Sequence, residues 1–137
     1  MSAYLSEAWR SEVASLLSGL PVEPGAFSGV VRWTVGKAPG GDAAFTWVWR
    51  DGVVVDVRDG ADPGAGEPDI ELTMAYPDHR ALTMGEVSPP VAYMRGKLKA
   101  AGHSGRVLAL LQRTADPAFA AAWAEVGRRT DVDVAAG

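Results

Sequence analysis

The sequence contains no cysteine and only two histidines among its 137 residues. Without cysteine, disulfides, thiolate catalysis and cysteine-ligated metals are excluded. Two histidines are also too few for a histidine-rich metal site. We therefore expect a protein that holds no metal, and no motif in the chain indicates another cofactor.

An excess of basic residues is lacking as well. The 13 lysines and arginines stand against 17 acidic residues, which gives a formal net charge of -4. Nucleic-acid phosphates require a concentrated basic surface, so nucleic acid is not expected as a partner. No apolar run approaches the roughly 20 residues of a membrane span, and the amino terminus does not resemble a secretion signal. We therefore expect a cytoplasmic protein.

The composition that is present is typical of a globular domain. Hydrophobic residues make up 47% of the chain and charged residues 22%, and the five tryptophans require a buried environment. No repeat or linker divides the chain, so we predict a single domain over residues 1–137. Residues 129–137 are predicted to form a flexible tail.

Alternating apolar and polar residues predict five strands. Three strands follow one another first, and Asp51-Gly52 between the second and third is a strong two-residue hairpin signal. The fourth strand is predicted over residues 69–74 and the fifth over 97–100. The side chains predicted to face the core in the first four strands are Val31, Trp33, Val35, Phe45, Trp47, Trp49, Val53, Val55, Val57, Ile70, Leu72 and Met74.

Helical spacing and capping residues predict the helices. Apolar residues recur every three or four positions from Leu5 to Leu20, which indicates a first helix. Pro77 opens a short helix, and Ser88 followed by a proline opens another that Gly96 ends. One or two helices follow from Ser104 onward. Because only one sheet face is apolar, we predict an α+β domain whose helices pack on that face of a five-stranded, mainly antiparallel sheet.

Four short motifs between residues 69 and 111 carry a family resemblance. They are the strand Ile70-Glu-Leu-Thr-Met74, the helix end Leu82-Thr-Met-Gly-Glu86, the run Ala92-Tyr-Met-Arg-Gly-Lys-Leu-Lys99, and Gly102 before an apolar helix. In this order and spacing they resemble the sterol carrier protein 2 family. The Gly-Lys-Leu-Lys turn from helix to strand is the most specific part.

The resemblance implies that sheet and helices enclose an apolar tunnel. It further implies that the ligand is a sterol, a fatty acid, an acyl-CoA ester or a phospholipid, bound without a covalent cofactor. Two features depart from the family pattern. His103 stands where family members commonly carry aspartate, and a helix over residues 117–129 could cover the tunnel mouth.

Aromatic, methionine and leucine side chains are predicted to line this cavity. Aromatic and methionine side chains accommodate apolar guests of varied shape. The competing interpretation is a close-packed core, which we favour for each single residue, whereas the resemblance favours a cavity for the set. The predicted ligand-binding residues are Trp33, Phe45, Trp47, Trp49, Met74, Leu82, Met84, Tyr93, Met94, Leu98, Leu111 and Trp123.

Three residues are weak candidates for proton transfer, namely His79, His103 and Tyr93. His79 and the preceding Asp78 lie on the first turn of a short helix, where adjacent side chains diverge, so we expect an exposed pair. His103 precedes a helix, and we expect its imidazole to face solvent. Tyr93 could orient a polar head of the ligand or simply pack its ring. We predict no catalytic set, so an enzyme is the less favoured interpretation.

The primary hypothesis is therefore non-covalent binding and carriage of a lipid-like apolar molecule. Lys97 and Lys99 could add a transient contact with an anionic membrane, although lysines on an edge strand also oppose aggregation. Two alternatives stay open. One is an enzyme of hydrophobic-metabolite biosynthesis built in the same cavity, and the other is an accessory module that binds a protein partner through an apolar groove.

Overall fold

Seven strands and five helices form the part of the chain that the structure describes. The structure, a computed structural model, describes residues 2–60 and 67–135, the last three by their backbone alone. In chain order the elements are β1 (Ser2–Tyr4), α1 (Glu7–Leu17), β2 (Gly29–Gly36), β3 (Ala43–Arg50), β4 (Val53–Asp59), β5 (Ile70–Ala75), α2 (Tyr76–Thr83), α3 (Pro89–Met94), β6 (Lys99–Gly102), α4 (Ser104–Thr114), α5 (Pro117–Arg128) and β7 (Thr130–Ala135).

The main sheet has five strands in the order β4-β3-β2-β5-β6. Strands β2 and β5 pair in parallel, from Val31 opposite Ile70 to Gly36 opposite Ala75. The other three pairs are antiparallel. The prediction of a five-stranded, mainly antiparallel sheet in an α+β fold is confirmed.

The helices cover one face of this sheet. Trp9 of α1 contacts Phe45 of β3, and Trp123 of α5 contacts Trp47 of β3. The opposite face is polar and carries, for example, the ion pair between Arg32 and Glu71 on neighbouring strands. The predicted alternation of the strands therefore separates a helix-covered face from a polar face.

The predicted hairpin at Asp51-Gly52 is confirmed. Both residues have positive φ angles, 49° and 78°. Two such residues give the turn whose twist matches that of the flanking strands.

Strand β4 departs from the prediction at Val55. The register with β3 advances from Val48 opposite Asp56 to Trp49 opposite Val54, so Val55 is an extra residue in a β-bulge. The bulge turns Val55 outward, where it is 45% exposed, and buries Val54 instead. The prediction that Val55 faces the core is wrong for this reason.

Helix α1 is shorter than predicted. It begins after Ser6, whose hydroxyl accepts a hydrogen bond from the Trp9 amide at 3.1 Å, and ends at Leu17. Leu5 has a φ of 67° and lies outside the helix, as does Leu20. Both leucines are nevertheless buried, so the apolar spacing continues through non-helical backbone.

Strand β6 begins two residues later than predicted. The backbone amides of Lys97 and Leu98 both donate to the Ala92 carbonyl oxygen and thereby close the end of α3. Leu98 is buried just before the strand, which then extends to Gly102. The predicted boundaries of α3 are confirmed, because Ser88 caps the helix and Gly96 follows it with a φ of 73°.

Residues Thr130–Ala135 form the strand β7. Strand β7 pairs in parallel with β1, and the Ser2 amide donates to the Arg129 carbonyl oxygen at 2.8 Å. Thr130 anchors this pairing, since its buried hydroxyl accepts from the Trp9 indole at 3.0 Å and donates to the Val126 carbonyl oxygen at 2.6 Å. Residues 130–135, which the sequence pattern assigns to a tail, therefore form a strand.

Candidate functional site: an aromatic core bordered by two crevices

Aromatic side chains fill the space between the sheet and the helices. Trp33 and Trp47 lie edge to face with ring centroids 5.3 Å apart, and Trp47 contacts Trp49 at 5.8 Å. Phe119 and Trp123 of α5 stack on each other at 5.9 Å, and Phe119 also stacks on Trp49. These rings touch one another, so this part of the interior is packed.

His79 lies inside this aromatic core and is fully buried. Its ring contacts Trp33 at a centroid distance of 5.0 Å, and its Nδ1 is hydrogen bonded to the Tyr4 hydroxyl. Burial lowers the pKa of His79 to about 3, so the imidazole is neutral at physiological pH. Burial also raises the pKa of the Tyr4 phenol, against a smaller opposing effect of the Thr83 hydroxyl.

The expectation that His79 is exposed is wrong. Helix α2 begins at Tyr76, and His79 therefore shares a helix face with Leu82 and Thr83, three and four residues further on. All three side chains are buried. The spacing between His79 and Leu82 was the signal in the sequence that could have indicated this burial.

The first of two crevices lies between the α2–α3 connection and α5. Its volume is about 170 Å³. The Trp123 indole at its wall donates to the Leu82 carbonyl oxygen at 2.8 Å, which ties α5 to α2. The crevice is lined by Gly85, Val87, Ser88, Pro89, Thr114, Phe119, Ala120, Trp123 and Ala124.

The second crevice lies on the other side of the same connection and has a volume of about 220 Å³. Val87 lines both crevices, so the two spaces adjoin at this side chain. The second crevice reaches Met74, which faces the core from β5, and is bordered by charged residues at its rim. Its lining consists of Met74, Asp78, Ala81, Glu86, Val87, Arg95 and Lys97.

Gly127 allows α5 to approach α2 closely. A Cβ atom at this position would lie 2.8 Å from the Thr83 carbonyl oxygen, which is closer than real contacts permit. The residue is buried in the interface. The contact between α5 and α2 thus depends on the absence of a side chain at one helix position.

The twelve predicted ligand-binding residues fall into three groups. Met74 and Trp123 line the crevices. The packed core contains Trp33, Phe45, Trp47, Trp49, Leu82, Leu98 and Leu111. The surface carries Met84, Tyr93 and Met94, of which Met94 is 84% exposed. Their role in ligand binding stays a prediction.

The sequence analysis did not predict Val87, Phe119 or Thr114 as site residues, although all three line the first crevice. Phe119 shares the apolar face of its helix with Trp123, and this pattern could have included it. Val87 and Thr114 could not be found from local patterns, because the crevice arises only where three separate helices meet.

The candidates for proton transfer form no common arrangement. His79 is buried, whereas Tyr93 is exposed and His103 caps α4, its Nδ1 accepting from the Gly105 amide at 3.2 Å. Among the described residues no hydrogen bond joins any two of the three. Within the same part of the chain, no group of three or more histidine or acidic residues could hold a metal ion.

None of the described helices has the length and apolar character needed to cross a membrane.

The architecture defines a two-layer α+β domain with an aromatic interior and apolar crevices at the edge of its helical layer. A model of the SCP-2 sterol transfer family matches residues 25–114. The chain belongs to this family, which confirms the resemblance seen in the motifs between residues 69 and 111. Helices α1 and α5 and the β1–β7 pair lie outside the matched segment.

Comparison with known proteins gives the same family. Sterol carrier protein 2 of Gallus gallus is 36% identical over 86 residues, and that of Rattus norvegicus is 38% identical over 88 residues. Each alignment covers 60% of this chain and only 14% of the relative. The chain therefore corresponds to a small part of these longer proteins.

Solved structures show the same fold. A crystal structure of sterol carrier protein 2 has a TM-score of 0.68 at 18% identity, covering 89% of this chain and 98% of the other. A solution structure of sterol carrier protein 2 from Aedes aegypti in complex with palmitate has a TM-score of 0.56 at 16% identity, covering 84% and 97%.

Proposed function

We propose that this domain binds a lipid-like apolar molecule non-covalently between its sheet and its helices and carries it between membranes. The observation that carries the proposal is the pair of crevices that meet at Val87 beside the aromatic core. Family membership supports it, as does the structural neighbour that holds palmitate. Sterols, fatty acids, acyl-CoA esters and phospholipids are the proposed ligand classes.

Binding of a lipid requires the crevices to enlarge. Ligand pockets usually measure at least about 300 Å³, and neither crevice alone reaches this volume. The connection that separates them, residues 84–88, joins two short helices and contains Gly85 with a φ of 77°. Displacing Val87 would join the two spaces. Burial of apolar ligand surface, at about 25 cal/mol per Å², would offset the cost of this movement.

A wider surface cleft is a poor alternative for an apolar ligand. It measures about 550 Å³ and lies between α1 and the ends of β3 and β4. Its lining includes Glu7, Arg10, Asp42 and Asp59, and Arg10 pairs with Asp59 at 3.7 Å. An apolar chain placed there would desolvate these charged groups without replacing their hydration.

Carriage also requires contact with a membrane, and we assign this contact to α3 and the turn that follows it. Tyr93 and Met94 expose their side chains at the end of α3. Arg95, Lys97 and Lys99 follow them directly and are exposed. Apolar side chains flanked by basic residues bind anionic lipid surfaces through both burial and charge.

Isothermal titration calorimetry with palmitate tests the binding site. We expect saturable binding by the natural sequence and binding at least about tenfold weaker, or about 1.4 kcal/mol, for Val87→Trp. The larger ring would fill the space where the crevices must join. Val22→Trp is the matched control, because Val22 is 67% exposed and lines neither crevice.

Absence of saturable binding for palmitate, a sterol and an acyl-CoA ester alike would overturn the proposed function. Equal affinities of Val87→Trp and Val22→Trp would instead retain lipid binding and reject the crevices as its location.

A further inference from the structure

The tryptophans of the sheet differ from those of the helices in their hydrogen bonds. The indole N–H of Trp9 donates to Thr130, and that of Trp123 donates to the Leu82 carbonyl oxygen. The indole nitrogens of Trp33, Trp47 and Trp49 are equally buried, but none has a hydrogen-bond partner among the described residues. Buried polar atoms are normally paired, so three exceptions on one sheet face require an explanation.

His79 adds a fourth unpartnered atom to the same region. Its Nδ1 is occupied by Tyr4, while its Nε2 is buried and has no partner in the described part of the chain. His79 contacts Trp33, which contacts Trp47, which in turn contacts Trp49. We call these four side chains the indole–imidazole strip. Each contributes one buried, unpaired nitrogen to a continuous row of rings.

The strip provides hydrogen bonds without a net charge. Burial lowers the pKa of His79, so the imidazole is neutral at physiological pH. The indole nitrogens are donors only, whereas Nε2 donates or accepts according to the tautomer. A ligand hydroxyl can use both kinds of partner. An ionised carboxylate would lose its hydration here without gaining a counter-charge.

We propose that the indole–imidazole strip binds an uncharged oxygen of the ligand, a hydroxyl or a carbonyl, and so favours apolar alcohols over ionised fatty acids. This proposal rests on the proposed function and specifies which ligands the domain prefers.

Helix α2 provides the route to the strip. Asp78 and Ala81 line the second crevice, while His79 between them faces the aromatic core. Met74, also in the crevice wall, lies on β5 beside β2, the strand that carries Trp33. An outward movement of α2 would therefore bring a ligand in the crevice against His79 and Trp33.

The first test compares two ligands of equal chain length by calorimetry near neutral pH, dodecan-1-ol and dodecanoate. We expect the alcohol to bind at least about tenfold more tightly. The substitution His79→Phe keeps an aromatic ring at this position but removes both ring nitrogens, so the preference for the alcohol should fall several-fold. Leu17→Val is the control, since Leu17 is a buried core residue of α1 that lies outside the strip and carries no polar atom.

The second test measures ligand binding by the natural protein, and variants serve only to assign its signals. Each tryptophan gives one indole N–H signal in a proton–nitrogen NMR spectrum, and single Trp→Phe variants assign the five signals. Adding dodecan-1-ol should shift the signals of Trp33 and its strip neighbours downfield, as new hydrogen bonds do. The signal of Trp9, already bonded to Thr130, should not move.

The outcomes separate this proposal from the proposed function. Two outcomes would overturn the preference for a neutral oxygen and retain lipid binding. One is saturable binding of both ligands without a shift of the strip signals, and the other is tighter binding of dodecanoate. Stationary signals would then indicate that the indole N–H groups point at neighbouring ring faces. Absence of binding by either ligand would count against both proposals.

Discussion

Tyr4 and His79 are hydrogen bonded in the protein interior although 75 positions separate them in the sequence. The bond joins β1, at the start of the chain, to α2, which borders the second crevice. Trp9, five residues after Tyr4, contacts both rings. Strand β1 therefore helps to fix the helix that borders the second crevice.

The buried imidazole makes stability depend on pH. His79 has a pKa of about 3 in the folded protein and an ordinary value of 6.5 when unfolded, so the unfolded chain binds more protons between these limits. The stabilising contribution is complete above about pH 6.5 and is lost as the pH falls toward 3. We expect the free energy of unfolding to decrease by up to about 1.4 kcal/mol per pH unit in this window, measured by urea denaturation.

His79→Phe should remove this slope between about pH 6.5 and 5. The comparison is made in this range because carboxylates titrate lower. Glu125, for example, has its pKa lowered by hydrogen bonds from Arg129 and Arg128. His103→Phe is the control, because His103 is exposed and should leave the slope unchanged. Parallel profiles for the natural protein and His79→Phe would contradict the buried, neutral imidazole.

Gly127→Ala should destabilise the protein although alanine favours helices by about 1 kcal/mol over glycine. The added Cβ would lie 2.8 Å from the Thr83 carbonyl oxygen, a backbone atom that cannot move alone. Overpacking of this kind costs about 1–3 kcal/mol, which outweighs the gain in propensity. Gly105→Ala in α4 is the matched control, since its nearest contact is the movable His103 ring at 3.3 Å. Stabilisation of both variants in urea would show that α5 does not approach α2 this closely.

His79 and Gly127 also show what the sequence could and could not predict. The period of the strands, the capping of α3 and the family motifs are local properties, and they gave the correct sheet and helical layer. The burial of His79 and the closeness of Gly127 to Thr83 depend on how α2 and α5 meet, which no local pattern encodes. The bulge at Val55 likewise depends on pairing with β3.

Arg113 is predicted to hold the end of α4 against the β3–β4 turn. Its side chain is only 7% exposed and donates to the carbonyl oxygens of Gly52 and Pro21 at 2.8 and 2.7 Å. It also donates to the carboxylates of Glu23 and Asp116. Lysine has neither the reach nor the planar set of donors to replace these contacts.

Arg113→Lys should therefore lower the free energy of unfolding by about 2–3 kcal/mol in urea denaturation. Arg128→Lys serves as the control. Arg128 is 66% exposed and pairs with Glu125 at the surface, where ion pairs contribute at most about 1 kcal/mol. Equal effects of the two substitutions would show that the buried hydrogen bonds of Arg113 are dispensable.

The distribution of charge leads to a prediction about membranes. Residues 87–115 contain five basic residues and no acidic residue, in a chain whose net charge is -4. Within this segment Met94 is 84% exposed, and Val91, three residues earlier on α3, is also exposed. We expect the domain to sediment with phosphatidylglycerol vesicles at low salt and to be released at high salt, because screening weakens the attraction.

Met94→Asp should weaken this binding most, since it removes the exposed apolar side chain and adds a charge that the anionic surface repels. Lys97→Glu should also weaken vesicle binding. It removes a basic residue, which contributes about 1 kcal/mol to this binding, and adds a charge that the anionic surface repels. Val22→Asp makes the same apolar-to-acidic change at a position that is 67% exposed outside α3, so binding should persist. If Val22→Asp and Met94→Asp reduce sedimentation equally, the contact is a general effect of net charge. If only Met94→Asp does so, the membrane meets the domain at the end of α3, next to the crevice that Arg95 and Lys97 border.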